Sequence, residues 1–569
     1  MRKEMPILIV CLLITTTIIN TNFNDNYNPK QNSTQKFLQD GHTEFPNLAL
    51  IGNDNLTTYA SFWGWEGNGS LENPFIITGY LFTSERNSLA ILNTTLSFEV
   101  RDCITYGWIY LESVTGGKIV TCDTKGIECY LSTNCTLQNN IVSTSKGSGI
   151  RVRESSHYNI SGNIIEDSGT DWENDEWGNG IEIVNSPHIR IFNNTITRSY
   201  TNGILISDSS FCSVEENKIT NNGHSYSTSG LGTCDCFSTT TTTCDCSWSY
   251  TFNFGSGISL VSDEYTYIIN NDMDMNAEGG LTIYGSNAIV VNSIFSNSSH
   301  DNFQSPSVSL IKTENTIVSN SIIGQMTIEE CQYCTISECK INGGGVFARN
   351  SDGIAIEFSS LLKSNIQLYK TTGGKIIGNN IDDGFGGGIN ADTVRDLIIS
   401  DNIINGVGND EKRQEIAALN LSGKNCKVIN NTIKNTNGIG IRVWDYWDFD
   451  SDQNEFFDNI FWNNTGGNAL DNGQNNKWDN GIAKGNFWDD YNGDGNYEIP
   501  GSAGSVDHYP RKLLQNNSEW SSSPVPSSPT SVPNGPGINL LEVAGIAITI
   551  GSICIIIVFG FLLIKNKQN

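Results

Sequence analysis

The sequence predicts an all-β chain, a single-stranded right-handed parallel β-helix solenoid, with one C-terminal transmembrane α-helix appended. Three observations predict it: an internal repeat, short alternating apolar runs between Gly, Asn and Ser turns, and an uncharged apolar segment near the C-terminus.

The repeat comes first. NGIEIVNSPHIRIFNNTITRSYT, starting at Asn179, is followed directly by NGILISDSSFCSVEENKITNNGH, starting at Asn202, an offset of 23 residues. Gly180 aligns with Gly203, Ile181 with Ile204, Ile183 with Ile206, Asn194 with Asn217 and Ile196 with Ile219. Similar units begin at Ser256, Gly279 and Leu419. Each unit holds three short runs, and a run of that length supplies one strand. A lone strand leaves its backbone unpaired. Stacking it on its equivalent in the next coil, about 4.8 Å away, pairs the backbone and buries the alternating Ile and Val in a triangular tube. Asn193, Asn194, Asn217, Asn430 and Asn431 fall at the equivalent turn, where Asn tolerates left-handed geometry and bonds its counterparts above and below. From Asn73 to Phe487 there is room for roughly 16 to 18 coils, a tube of about 80 Å at that spacing.

Composition agrees. The chain has 569 residues, beyond one ordinary compact domain, with 56 Gly, only 13 Pro, and apolar residues scattered as Ile and Val pairs rather than helical stripes. A net charge of −28 argues against nucleic acid as a partner and suits a solvated extracellular surface.

The ends set the expected location. Arg2 and Lys3 precede an apolar stretch from Ile7 to Ile19, the layout of a secretory signal or an N-terminal hydrophobic segment. Val543 to Ile564 carries no charge and is long enough to span a bilayer. Lys565 and Lys567 follow it, which places the preceding chain outside the cell. The expected order is a signal segment over 1–22, a linker and cap over 23–58, the β-helix over 59–484, a C-terminal cap over 485–512, a Ser/Pro-rich stalk over 513–537, a transmembrane helix over 538–564 and a cytoplasmic tail over 565–569.

Three passages carry a family resemblance: GWEGNGSLENPFIITGY from Gly64, the NN-x-I repeats, and GNFWDDYNGDGNYEIPGSAGSVDHYP from Gly485 to Pro510. Together they resemble the right-handed β-helix proteins of the NosD and carbohydrate-binding and sugar-hydrolase (CASH) repeat type. The resemblance implies the fold across nearly the whole exported portion. It implies little about activity, because lyases, hydrolases, adhesins and accessory proteins share this fold.

Several constellations are candidates for chemistry. Asp382 and Asp383 in NIDDGFGGG echo the paired acids of polygalacturonase-like β-helix hydrolases, although no Gly-His-Gly or Arg-Ile-Lys motif accompanies them. A lyase needs a basic group beside its uronate substrate, for which Arg151, Arg153 and Arg442 are outward-facing candidates. Asp490, Asn492, Asp494, Asn496 and Glu498 alternate around Gly495 like the opening of a calcium loop, but Gly501 stands where the closing acid belongs. Calcium is the one cofactor suggested.

Two acid-and-aromatic inserts, DWENDEW from Asp171 and WDYWDFD from Trp444, border the same strand of the repeat. Their Trp172, Trp177, Trp444 and Trp447 suit stacking on sugar rings, with neighbouring carboxylates taking hydroxyls. Fifteen cysteines include Cys11 and Cys554 in the two apolar end segments. Of the rest, Cys234, Cys236, Cys244 and Cys246 cluster in a Thr-rich insert, where disulfides are favoured over a metal site outside the cell. Repeat-borne cysteines are expected in the core. The leading expectation is a membrane-anchored surface protein binding glycans or envelope components. A tethered polysaccharide lyase or glycoside hydrolase, and a structural envelope spacer, are the alternatives.

Overall fold

The computed structural model describes residues 41–512, except 170–177, 235–243, 296–305, 385, 409–415 and 446–448, and of 225–234 and 244–254 the backbone alone. The expected signal segment, stalk and membrane helix lie outside the described residues. Among the described residues no helix is long and apolar enough to cross a membrane.

Each coil contributes three strands, and like strands of successive coils pair in parallel. In the coil from Asn179, face one takes Ile181–Val184, face two Arg190–Phe192 and face three Thr195–Thr197. The next coil supplies Ile204–Ser207, Ser213–Glu215 and Lys218–Thr220 in register, with Ile181 on Ile204, Ile183 on Ile206 and Ile196 on Ile219. The sequence offset is therefore the coil length. Face two is a separate sheet of 16 strands from Phe75–Thr78 to Glu455–Phe457. Faces one and three are continuous because Ile322–Glu329 and Lys340–Arg349 each run through the corner between them.

Inward positions carry the core. Ile181, Ile183, Ile191 and Ile196 are fully buried, and their counterparts one coil on, Ile204, Ile206, Val214 and Ile219, sit in the same state. Nine cysteines, among them Cys103, Cys212, Cys331 and Cys426, are free and buried here, filling apolar positions of the repeat.

The Asn-Asn turn divides labour between its two residues. Asn193 and Asn430 adopt left-handed backbone, with φ of 52° and 55°. The following Asn turns inward. Asn163 donates its backbone N–H and its side-chain Nδ2 to Asn194 Oδ1, each at 2.9 Å, and Asn194 does the same to Asn217 at 2.9 and 3.0 Å. Asn194 Nδ2 also reaches the Ile160 carbonyl at 2.9 Å. The ladder resumes at Asn379, Asn402, Asn431, Asn459 and Asn486. A second ladder, of Ser132, Ser155, Ser186, Ser209, Asp263 and Ser286, runs along the corner between faces one and two.

Both ends are closed. The helix Gly52–Trp63 adds Leu56, Tyr59 and Ala60 to the core beside Phe45 and Leu50 and ends at Gly64, which is left-handed with φ 67°. This helix is absent from the sequence expectation, and strands precede it at Thr43–Phe45 and Leu48–Ile51, ahead of residue 59. At the other end, Trp478 stacks on Phe456 at 4.3 Å, and Trp488 lies between Phe461 at 4.5 Å and Tyr497 at 4.1 Å. Aromatic plates thus replace a further coil and cover a sheet edge that invites pairing.

Candidate functional site on face one

The segments that break the repeat gather along face one. Residues 170–177, the hairpin formed by His224–Cys234 and Cys244–Phe254, 296–305 and 409–415 each join a face-three strand to the following face-one strand. Residues 446–448 follow the face-one strand Ile439–Val443 in sequence.

On face one lies a row of polar side chains, one per coil. Parallel register places Gln367, Asn390, Asn420 and Arg442 in line. Arg442 Nε donates to Asn420 Oδ1 at 2.8 Å, and Asn420 Nδ2 donates to Asn390 Oδ1 at 2.7 Å. The Arg442 guanidinium also lies 5.7 Å from the centre of the half-buried Trp444 ring. Beside this row, Tyr369, Asp392 and Ser422 align in adjacent coils. Burial pushes the Asp392 carboxyl above its ordinary range, against the opposing charge of Arg442. Asp392 Oδ1 and Ser422 Oγ are buried atoms without a hydrogen-bond partner among the described residues. At the edge, Phe449 sits 5.0 Å from the Arg395 guanidinium and 5.1 Å from the Lys424 ammonium, so its ring packs on two cations.

Arg151 and Arg153 also point outward from face one, but their charge is spent. Arg153 Nη2 pairs with Glu182 Oε1 at 2.6 Å, and Arg151 Nε lies 3.5 Å from Glu182 Oε2. Burial opposes ionisation of Glu182, yet Arg151, a bond from Ser148 and Arg153 together hold its carboxyl below the usual range. The two arginines neutralise a buried acid and do not present a free base.

The remaining expectations fall elsewhere. Asp382 ends the face-three strand Asn380–Asp382 and accepts bonds from Asn380 Nδ2 at 3.0 Å and Asn405 Nδ2 at 2.8 Å. Asp383 turns away in left-handed backbone with φ 55°. Asp382 thus belongs to an amide ladder on a different face from Arg442. In the DYNGDGNYE loop, Asp490 takes the Tyr497 hydroxyl at 3.0 Å and Asn468 Nδ2 at 3.0 Å, while Asn492 Oδ1 takes the Asp494 N–H at 2.9 Å. Glu498 sits in the short strand Tyr497–Glu498, whose partner is Val506–Asp507. Asn496 immediately precedes that strand. The loop is thus an Asx turn with its Asp490 carboxylate already engaged. Trp172, Trp177, Trp447 and Cys236 lie outside the described residues, and Cys234, Cys244 and Cys246 are described by backbone alone.

Asn390, Asp392 and Asn420 were not singled out from sequence. Their signal was present as the outward positions of INAD and LNLS, but insert 409–415 stretches the local spacing and hides the alignment.

The geometry is that of a parallel β-helix repeat fold, and two family models match parts of the chain. A family model described as right-handed β-helix region matches residues 112–247. Residues 306–493, which hold the face-one row, match the model for periplasmic copper-binding protein (NosD). Among the described residues no three His, Cys, Asp or Glu side chains converge to hold a metal ion. No curated protein matches the chain. Solved structures similar to it include a tailspike protein mutant of E. coli bacteriophage HK620, at 13% identity and TM-score 0.33, covering 78% of this chain and 76% of that one. Another HK620 tailspike mutant, in complex with pentasaccharide, has 12% identity and TM-score 0.32 over the same shares. The Dettilon tailspike protein has 12% identity and TM-score 0.23, covering 69% of this chain and 60% of that one.

Proposed function

We propose that face one binds an extended glycan or envelope polymer lying along the tube axis. The observation that carries this reading is the in-line row Gln367, Asn390, Asn420 and Arg442, beside Trp444. Parallel stacking offers a polar group about every 4.8 Å, so a polymer with a short repeat meets the same kind of partner at each step. Bonds within the row orient the amides before ligand arrives, which lowers the ordering cost of binding. Trp444 supplies an apolar ring beside the polar row, the mixture that sugar faces require. The uncharged Val543–Ile564 segment supports display at the outer face of a membrane through a single-pass anchor. Calcium-dependent binding belongs to this proposal and is tested by chelation.

Replacing Arg442 by alanine is expected to weaken glycan binding by about 2 kcal/mol, roughly 30-fold, because it removes the cation and unhooks Asn420. Trp444→Ala is expected to weaken it comparably, while Lys375→Ala on face two leaves it unchanged. Titration calorimetry with an oligosaccharide ligand reads all three. Equal loss in the Lys375 variant would remove face one from the account.

A second reading has its own support. Asp392, with its carboxyl raised and Arg442 nearby, resembles a proton donor beside a cation, the pairing a tethered polysaccharide hydrolase or lyase uses. Turnover abolished in Asp392→Asn with binding retained would favour that reading over binding alone.

A further inference from the structure

The hairpin that leaves the tube between Lys218–Thr220 and Ser256–Val261 has 11 residues in each strand, His224–Cys234 and Cys244–Phe254. Its antiparallel register sets Cys234 opposite Cys244, at the last pair before the connecting loop, and Gly232 opposite Cys246. Directly opposed residues of an antiparallel pair have Cα atoms about 4.5 or 5.5 Å apart, depending on the hydrogen-bonding site. Both spacings fall inside the roughly 4.4–6.8 Å that a disulfide spans. Cys234 and Cys246 are diagonal neighbours, about 7–8 Å apart in such a pair, beyond that reach. For Cys234, the register therefore selects Cys244 over Cys246.

We propose that Cys234 and Cys244 form a disulfide that staples the tip of this hairpin. Two-stranded ribbons are marginally stable on their own, and a cross-link at the last pair keeps the strand ends from separating. The register also alternates composition. Tyr226, Trp248, Tyr250, Phe252 and Phe254 occupy the same alternate positions as the two cysteines, whereas Ser225, Ser227, Ser229, Ser247, Ser249 and Thr251 occupy the others. A staple that fixes register thus fixes which side of the ribbon is aromatic, since a slip of one residue would exchange the sides.

Formation requires an oxidant, and a low-molecular-weight disulfide such as glutathione disulfide suffices. The two thiols lose two protons and two electrons as the new S–S bond forms, and the oxidant is reduced to two thiols. The pairing does not rest on the glycan reading, because the link and the binding are measured in separate assays.

The test equilibrates the full chain with glutathione disulfide, alkylates it in the native state, digests it with pepsin at low pH and identifies linked peptides by mass spectrometry. A peptide joining Cys234 to Cys244, with neither residue alkylated, is expected. The variant carrying Cys236→Ser and Cys246→Ser is expected to keep that link. A link from Cys234 to Cys246 or from Cys236 to Cys244, or alkylation of both Cys234 and Cys244, would overturn the pairing.

Discussion

Trp488→Ala is expected to open the last coils of the tube while leaving the first ones intact. Trp488 is fully buried between the rings of Phe461 and Tyr497, and its Nε1 donates to Asp507 Oδ2 at 3.0 Å. Removing it deletes a large core side chain, worth about 3–5 kcal/mol, and takes a donor from a buried carboxylate. Asn486, whose backbone N–H binds the same Asp507 oxygen at 2.8 Å, then loses the fixed terminus of its ladder. Because each coil contacts only its neighbours, the loss stays local and does not spread through the solenoid. Amide hydrogen exchange followed by mass spectrometry should show reduced protection in peptides between Glu455 and Lys512 and unchanged protection before Asn379. Uniform loss along the chain, or none, would show that the aromatic plates are not what closes this end.

Asp263→Asn is expected to stabilise the protein at alkaline pH and to do little in acid. Asp263 occupies a ladder position that Ser fills in the neighbouring coils. It accepts the Ser209 N–H through Oδ1 at 2.6 Å, while its buried Oδ2 has no partner among the described residues. Burial raises its carboxyl from an ordinary 3.8 to about 7, with the nearby Asp208 charge adding to the rise and the bond from Ser209 opposing it. The folded state therefore binds a proton that the unfolded chain releases. Stability falls as pH climbs from about 4 through about 7 and stays low above that, a loss on the order of 4 kcal/mol for a shift of this size. Asn keeps the acceptor and offers an N–H in place of the acid's proton at every pH. Urea unfolding at pH 4 and pH 9 should show the variant gaining only at the higher pH. An equal change at both would mean that packing, not ionisation, sets the difference.

The two positions also show why parts of this molecule are legible in sequence and parts are not. Coil length, strand positions and core identity follow from the offset between Asn179 and Asn202, because each coil solves the same packing problem with nearly the same residues. The second Asn of each Asn-Asn turn was legible for the same reason. Asp263 departs from its ladder by a single residue, and only the surrounding coil reveals it as a buried carboxylate rather than a solvated one. The face-one row is harder still: Asn390, Asn420 and Arg442 come together through parallel register across inserts of unequal length, so no constant spacing announces them. The Asp382–Asp383 doublet shows the converse. Adjacent acids look paired in one dimension, but a strand residue followed by a left-handed turn residue does not make an acid–base pair. The helix Gly52–Trp63 carries three buried residues in three turns, too little apolar periodicity to separate it from the strands around it.

The most direct test of the central claim is a screen of the purified chain against acidic and neutral glycans, in calcium and in chelator, beside its Arg442→Ala and Trp444→Ala variants. Binding by the native chain that both substitutions weaken, with Lys375→Ala unaffected, is the predicted result. Binding to no glycan under either condition, or binding indifferent to Arg442 and Trp444, would contradict the assignment of face one as the ligand surface.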